Sequence, residues 1–226
     1  MKILYKDKKL IAVTKPVGMP VQQDTSGDDD LMTATSRMLK SLGEDGRLWL
    51  VHRLDRVVGG VVIFARNKQY AVILSELFAG REVDKYYLAV VEGHAEGGLL
   101  EDYLYKDAGR GMAFVTDAKR KDAKASSLEY EPVDFVTHDG IDFTLVRIKL
   151  HTGRFHQIRA QFSSRKMALV GDGKYGGRIR RTRNPALFAC RIRLSTDGKM
   201  LDINDVPDIS AYPWSLFGAE KYEVQK

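Results

Sequence analysis

Two Asp-Gly pairs, Asp139-Gly140 and Asp197-Gly198, each stand between runs of β-forming residues. A two-residue hairpin loop needs positive φ at both central positions, and these residue types supply it most readily. The C-terminal half is therefore expected to turn back on itself twice. Ahead of His151 the chain alternates, with Val146, Ile148 and Leu150 on one face and Arg147 and Lys149 on the other, the period of a half-buried strand. A further strand is expected around Tyr86 to Val91. Helical spacing is confined to three places. Leu31, Thr35, Met38 and Leu42 recur before Gly43; Tyr70, Ile73, Leu74, Leu77 and Phe78 follow the candidate cap Asn67 and precede Gly80. After Thr152-Gly153, Phe155, Ile158 and Phe162 place a helix start near Gly153, with Thr152 at the cap and backbone N–H groups free to hold an anion. Strands outnumber helices and do not alternate with them. That pattern predicts an α+β fold with a mixed, largely antiparallel central sheet flanked by helices and loops, and argues against a doubly wound one.

The 226 residues are expected to form one domain over 1–226. Thirty-six Lys and Arg against 30 Asp and Glu leave a net charge of +6, which permits a nucleic-acid partner without requiring one. The single cysteine, Cys190, lies on the apolar side of Phe188-Cys190-Ile192-Leu194 and reads as core. With no disulfide possible, no apolar run near the ~20 residues of a membrane helix and a charged N-terminus, a cytoplasmic, soluble protein is expected, without a membrane partner.

The residues that bear chemistry sit in four segments. His52-Arg53-Leu54-Asp55 follows the apolar run Leu48–Val51 and precedes another, Val57–Ala65. A carboxylate between Arg53 and Arg56 reads either as a structural ion pair or as an ionised nucleophile. Tyr86 and Tyr87, adjacent on a strand, must face opposite ways, so that one can be core while the other stacks on a base. His151-Thr152-Gly153-Arg154-Phe155-His156-Gln157-Ile158-Arg159 brings a cation beside an apolar wall, or is merely a helix with solvated arginines. His151 and His156 lack zinc spacing, and the glycine-rich Gly171–Gly177 lacks a P-loop pattern; a glycine turn near a site is the better reading. Basic residues crowd at Lys119, Arg120, Lys121 and Lys124, and at Arg178, Arg180, Arg181, Arg183, Arg191 and Arg193. The arginines are the stronger phosphate candidates. The acidic Asp28-Asp29-Asp30 reads as a solvated helix start.

Taken in order, these segments resemble the RluA-type pseudouridine synthases. His52-Arg53-Leu54-Asp55 with Gly60 and the run to Asn67 is similar to that family's signature, and Lys85-x-Tyr87-Leu88-Ala89-x-Val91-x-Gly93 to its second motif. Thr152-Gly153-Arg154-x-His156-Gln157-Ile158-Arg159, then Gly171-Asp172-x-x-Tyr175-Gly176, resembles the third, and Lys15-Pro16-x-Gly18 the opening one. The resemblance spans roughly residues 10 to 195. It implies the pseudouridine synthase fold and the isomerisation of uridine to pseudouridine in structured RNA, transfer or ribosomal. Asp55 would be the catalytic carboxylate, acting at C1′ or on a sugar proton. Tyr87 would stack on the base and take the C5 proton, and Arg159 would pair with Asp55. Ile158 would wall the uracil, Arg53 would displace the target base, and His52, Arg154, His156 and Gln157 would be further substrate contacts. The reaction is redox-neutral, so no cofactor or metal is expected. RNA is the expected partner of a monomer, and DNA is not.

Two departures stand out. Val58-Gly59 occupy positions where the family commonly has Thr-Ser, and Arg165-Lys166-Met167 replace a Gly-His-Pro-like turn, adding charge where RNA could pass. Relatives often carry an N-terminal S4 domain, and motifs beginning near residue 15 leave no room for one. A noncatalytic RNA-binding or RNA-folding factor would need the cations but not Asp55, and a glycoside hydrolase would need a second acid near it.

Overall fold

Both Asp-Gly pairs turn hairpins. In the computed structural model, which describes residues 1–179 and 181–222, Asp139 and Gly140 have φ of 52° and 72°, and Asp197 and Gly198 have 51° and 70°. They join β8 (Lys124–His138) to β9 (Ile141–Leu150) and β10 (Leu187–Thr196) to β11 (Lys199–Asn204). The remaining strands are β1 (Ile3–Lys6), β2 (Leu10–Lys15), β3 (Trp49–Leu50), β4 (Gly59–Ala65), β5 (Val83–Glu92), β6 (Gly98–Asp107) and β7 (Met112–Thr116). The helices are α1 (Leu31–Ser41), α2 (Lys68–Gly80) and α3 (Gln157–Ser164). The fold is α+β with largely antiparallel strands, as the turn signals imply.

The residues group into two compact units, Met1–Asp84 with Ala189–Pro207, and Lys85–Phe188 with the chain from Asp208 on. In the first, strands run in the order β1, β2, β4, β10, β11, with β3 also on β4. Every residue of β4 is buried. Leu10, Ala12, Val61, Ile63 and Ala65 from the strands pack with Tyr70 and Leu74 of α2 and Ile192 and Leu194 of β10. In the second unit β5, β9, β8, β6 and β7 form an antiparallel series, which places Tyr87 opposite Ile148 and Tyr86 opposite Lys149.

Local signals fix the helix starts. Asp30 caps α1 by accepting from Thr33 N–H at 2.9 Å, and Asn67 caps α2 by accepting from Tyr70 N–H at 2.8 Å; each such cap contributes about 1 kcal/mol. The acidic triplet is thus not simply solvated: Asp30 is buried, while Asp28 pairs with Arg56 and Asp29 with Arg37. α2 ends at Gly80, as expected, and the left-handed position after it falls to Arg81 at φ 62°. The start of α3 differs from expectation. It begins at Gln157 rather than near Gly153, because His156 adopts φ 51° and interrupts the helical path.

Gly60 is required for its lack of a side chain. It has φ 123°, and a Cβ there would lie 2.3 Å from the carbonyl oxygen of Ala189 on the neighbouring strand. Gly60→Ala is expected to lower stability by roughly 2 kcal/mol or more, since backbone and not a mobile side chain must move. Urea unfolding that gave a wild-type midpoint would contradict this close packing.

Candidate active site

Asp55 stands on the loop between β3 and β4, half-buried, in a turn closed by Val58 N–H donating to the Asp55 carbonyl at 3.0 Å. The loop is held by Lys15, whose side chain is fully buried at the end of β2. Lys15 Nζ donates to the carbonyls of Pro16 at 2.9 Å, Met19 at 2.6 Å and Arg56 at 2.9 Å. Gly18 N–H also reaches the Arg56 carbonyl, at 2.8 Å. Burial pushes the Lys15 ammonium down to about 8, and the charge of Asp55 opposes that fall. Lys15 is therefore a cation coupled to the charge of Asp55, and sequence adjacency could not identify it. Arg56, expected to flank Asp55, points elsewhere. Its Nε donates to Gly18 O at 2.9 Å and its Nη1 to Ser26 Oγ at 3.0 Å, and it pairs with Asp28 and Asp24.

The two other members of the tetrapeptide divide. Arg53 is exposed, with no ion pair among the described residues. His52 is turned into its own unit. Its Nε2 accepts from Ile63 N–H at 2.9 Å and its ring stacks on Phe78 at 4.3 Å. His52 therefore holds the loop onto β4 and α2.

In the second unit α3 has six of its eight residues buried, Gln157 to Phe162. A helix buried on all sides must satisfy each polar side chain internally. Arg159 does so with Asp172 on the glycine turn: Nε donates to Oδ2 at 2.7 Å and Nη2 to Oδ1 at 2.8 Å. Asp172, a residue without a role in the sequence reading, thus grips Arg159 with both carboxylate oxygens. Gly177 N–H and Tyr175 N–H both donate to the Asp172 carbonyl, at 2.9 and 3.1 Å, winding the turn around this residue. Gly171, with φ 79°, permits the turn, since a Cβ there would meet Thr182 Oγ1 at 1.9 Å.

Gln157 is a structural tie as well. Its Oε1 accepts from Thr152 Oγ1 at 2.7 Å and Arg154 N–H at 3.0 Å, and its Nε2 donates to Ser127 O at 3.1 Å. Thr152 is thus not the helix cap, and α3 begins without a side-chain cap. The anion site expected at a Thr-capped start has lost its basis. Arg154 Nε donates to Ala125 O at 3.0 Å. Ile158 is 4% exposed, and Tyr87 is half-buried on β5. His156 Nδ1 lies 2.9 Å from the Tyr175 hydroxyl. Burial, then the nearby charges of Arg159, Lys174 and Lys106, pull its imidazole down to about 3, so it is neutral at working pH.

The basic clusters are reordered by their partners. Arg181 pairs with Asp139, Arg191 and Arg193 with Asp202, and Arg178 approaches Glu92 at 3.6 Å. Arg180 lies outside the described residues. Arg165 pairs with Asp102 at 2.9 Å, so of the two cations added after α3 one is committed to a carboxylate, while Lys166 is exposed. By contrast Lys119, Lys121 and Lys124 are exposed without ion pairs among the described residues. Three cations nearby sit on aromatic rings: Arg120 over Tyr105 at 3.6 Å, Lys106 over Phe155 at 4.7 Å and Arg110 over Phe114 at 6.0 Å. No described helix is long and apolar enough to cross a membrane.

Two outcomes follow from this geometry. Asp172→Asn should cost roughly 3–5 kcal/mol in urea unfolding, because it strands a buried guanidinium without its counter-charge. For His156, the unfolded ring titrates near 6.5 and the folded ring near 3. Between those values the unfolded chain binds the extra proton, so wild-type stability should decrease as the pH is lowered, by up to about 1.4 kcal/mol per unit. His156→Asn, which keeps a left-handed residue, should flatten that slope when unfolding is compared at pH 7, 5.5 and 4.5.

Comparison with known proteins places these features. The family model described as RNA pseudouridylate synthase matches residues 9–164. A tRNA pseudouridine synthase C of Haemophilus influenzae is 30% identical over 183 residues, covering 78% of this chain and 76% of that protein. A ribosomal large subunit pseudouridine synthase D of Xanthomonas campestris is 30% identical over 186 residues, covering 80% of this chain and 53% of that protein. Among solved structures, human RNA Pseudouridylate Synthase Domain Containing 1 superposes with a TM-score of 0.78 at 23% identity, over 94% of this chain and 85% of that one, a likeness of fold.

Proposed function

This chain belongs to the RNA pseudouridylate synthase family, and on that premise we propose that it isomerises a uridine of transfer RNA, with Asp55 as the carboxylate that acts at the sugar. The observation that carries the proposal is the loop of Asp55. A buried ammonium holds that loop through three carbonyls and feels the charge of Asp55, an arrangement that fixes the carboxylate in position for chemistry. The preference for transfer RNA rests on relatives of that name that this chain matches over about three quarters of their length.

In the reaction the C1′–N1 bond breaks and a C1′–C5 bond forms. The proton on C5 leaves and N1 gains one, so nothing is oxidised and no water is consumed. Asp55 acts at C1′ or on a sugar proton to release the uracil. Tyr87 stacks on the base and removes the C5 proton. Arg159 supplies a fixed positive charge, and Ile158 walls the detached base so that it cannot escape. Arg53, exposed and two residues from Asp55, fills the place of the extruded base. Extrusion costs a few kcal/mol, and phosphate contacts along Lys119–Lys124 with the ring-backed cations Lys106, Arg110 and Arg120 offset it. A monomer working in a reducing cytoplasm is the state we assign, supported by the buried lone thiol of Cys190.

Asp55→Asn should abolish pseudouridine formation on bulk transfer RNA while leaving RNA affinity within about twofold. Full turnover by that variant would refute the assignment, and a wild-type protein that binds RNA but forms no pseudouridine would favour a binding factor. Arg159→Ala is a poorer test, since it leaves Asp172 buried and unpaired and so mixes folding with catalysis. Replacing Lys119, Arg120 and Lys121 together by Ala should reduce the salt slope of RNA binding by about 2–3, one contact each. Filter binding across a salt series reads this directly, and an unchanged slope would remove these residues from the RNA path.

A further inference from the structure

We propose that Tyr175 is a positioning residue that couples the β6–β7 hairpin to Arg159, so that RNA seated on the hairpin sets the geometry of α3; this rests on the function proposed above.

Tyr175 is 6% exposed and joins four pieces of the second unit. Its hydroxyl accepts from Ala113 N–H of β7 at 2.7 Å. The same hydroxyl lies 2.9 Å from His156 Nδ1 at the start of α3. Its ring lies under the Arg159 guanidinium, 4.8 Å from the guanidinium carbon to the centroid. Its carbonyl accepts from Ser163 Oγ near the end of α3 at 2.6 Å. Tyr175 N–H also donates to Oδ1 of Asp172, the oxygen that holds Arg159 Nη2. One residue therefore supports Arg159 from the ring side and, through Asp172, from the carboxylate side.

The contact with the hairpin is a small core of its own: Leu104, Ala113, Ala160 and Tyr175, with Met112 and Phe155 packed on it. Outward from it runs a stack of rings and charges. The Lys106 ammonium lies 4.7 Å from the Phe155 ring centroid, and Phe155 stacks on His156 at 3.8 Å with planes 19° apart. A phosphate that draws Lys106 toward it shifts the load on Phe155, His156 and the hydroxyl bridge, and hence on Arg159. Because the His156 ring is neutral, its Nδ1 can accept the Tyr175 proton while Ala113 N–H fills the hydroxyl oxygen, a closed donor–acceptor order. A purely apolar ring would pack against Leu104 and Ala160 equally well. The hydroxyl is what ties strand to helix.

The test compares Tyr175→Phe, His156→Ala and His156→Asn in the full chain. Single-turnover release of tritium from C5-labelled uridine in transfer RNA gives the rate at saturating enzyme, filter binding gives the RNA affinity, and 15N spectra report on the His156 ring. Tyr175→Phe should lower the saturated rate by about tenfold or more with affinity within about twofold, the mark of lost positioning and not lost binding. His156→Ala should match it. His156→Asn, which tolerates positive φ and offers an amide oxygen near the Nδ1 position, should recover most of the rate. RNA should shift the His156 nitrogens in wild type and much less in Tyr175→Phe. Wild-type rate in Tyr175→Phe, or a rate loss wholly matched by weaker binding or by a melted fold, would overturn the proposal. If the wild type itself releases no tritium, the isomerase reading falls, and the His156 response to RNA still decides the coupling: a shift retained in Tyr175→Phe refutes it.

Discussion

A buried ammonium is the constraint on which the Asp55 loop depends. Lys15 is fully enclosed and has exchanged its water for the carbonyls of Pro16, Met19 and Arg56. Desolvating a lone ammonium costs several kcal/mol, so those three carbonyls are held as firmly as the charge needs them. The Arg56 carbonyl belongs to the residue after Asp55. Moving the Asp55 turn would strand either that carbonyl or the ammonium, and the backbone of the loop is therefore fixed by its anchor. Asp55 in turn favours the protonated form of Lys15 against its burial, so the loop and its anchor support each other.

The second unit meets the same requirement with a different cation. An eight-residue helix is too short to persist by its own hydrogen bonds, and α3 is held by what surrounds it. Arg159 accepts a planar partner, and the bidentate grip of Asp172 fixes the guanidinium in direction as well as position. Lys15 needs no such plane and is satisfied by carbonyls from three directions. In both units the cost of an interior charge is converted into a fixed loop geometry, with Gly18 beside one anchor and Gly171 beside the other, both at positive φ.

What could be seen in the sequence was local, and what could not was distant. The two Asp-Gly hairpins, the Asn67 cap and the strand of Tyr87 follow from neighbours in the chain and are found where expected. The left-handed His156 carries no glycine to announce it, and so the start of α3 falls later than the sequence pattern places it. Arg56 follows Asp55 in the chain, but a turn sends adjacent side chains apart, and its partners are Asp24 and Asp28. Lys15 and Asp172 stood in the motifs without a role, because a lysine is ordinarily a surface residue and an Asp between glycines ordinarily a turn former. Their burial is a property of the fold alone. His52 and Gln157 have a structural share that spacing does not show: Ile63 N–H bonds one, and Thr152, Arg154 and Ser127 bond the other.

The same distinction settles what the basic charge can do. A count of arginines favours the segment after the glycine turn, yet Asp139, Asp202 and Glu92, remote in sequence, bind Arg181, Arg191, Arg193 and Arg178. A guanidinium already gripped by a carboxylate must lose that bond before it can take a phosphate, so its net gain on binding is small. The exposed lysines of the turn before β8 carry no such debt, and the cations beside them rest on Tyr105, Phe114 and Phe155. Cations backed by rings keep a face for a phosphate and offer the ring edge to a base. Binding energy gathered there, away from the reacting atoms, is the kind that can offset the extrusion of a base. A net charge of +6 thus matters less than which cations the fold has left uncommitted.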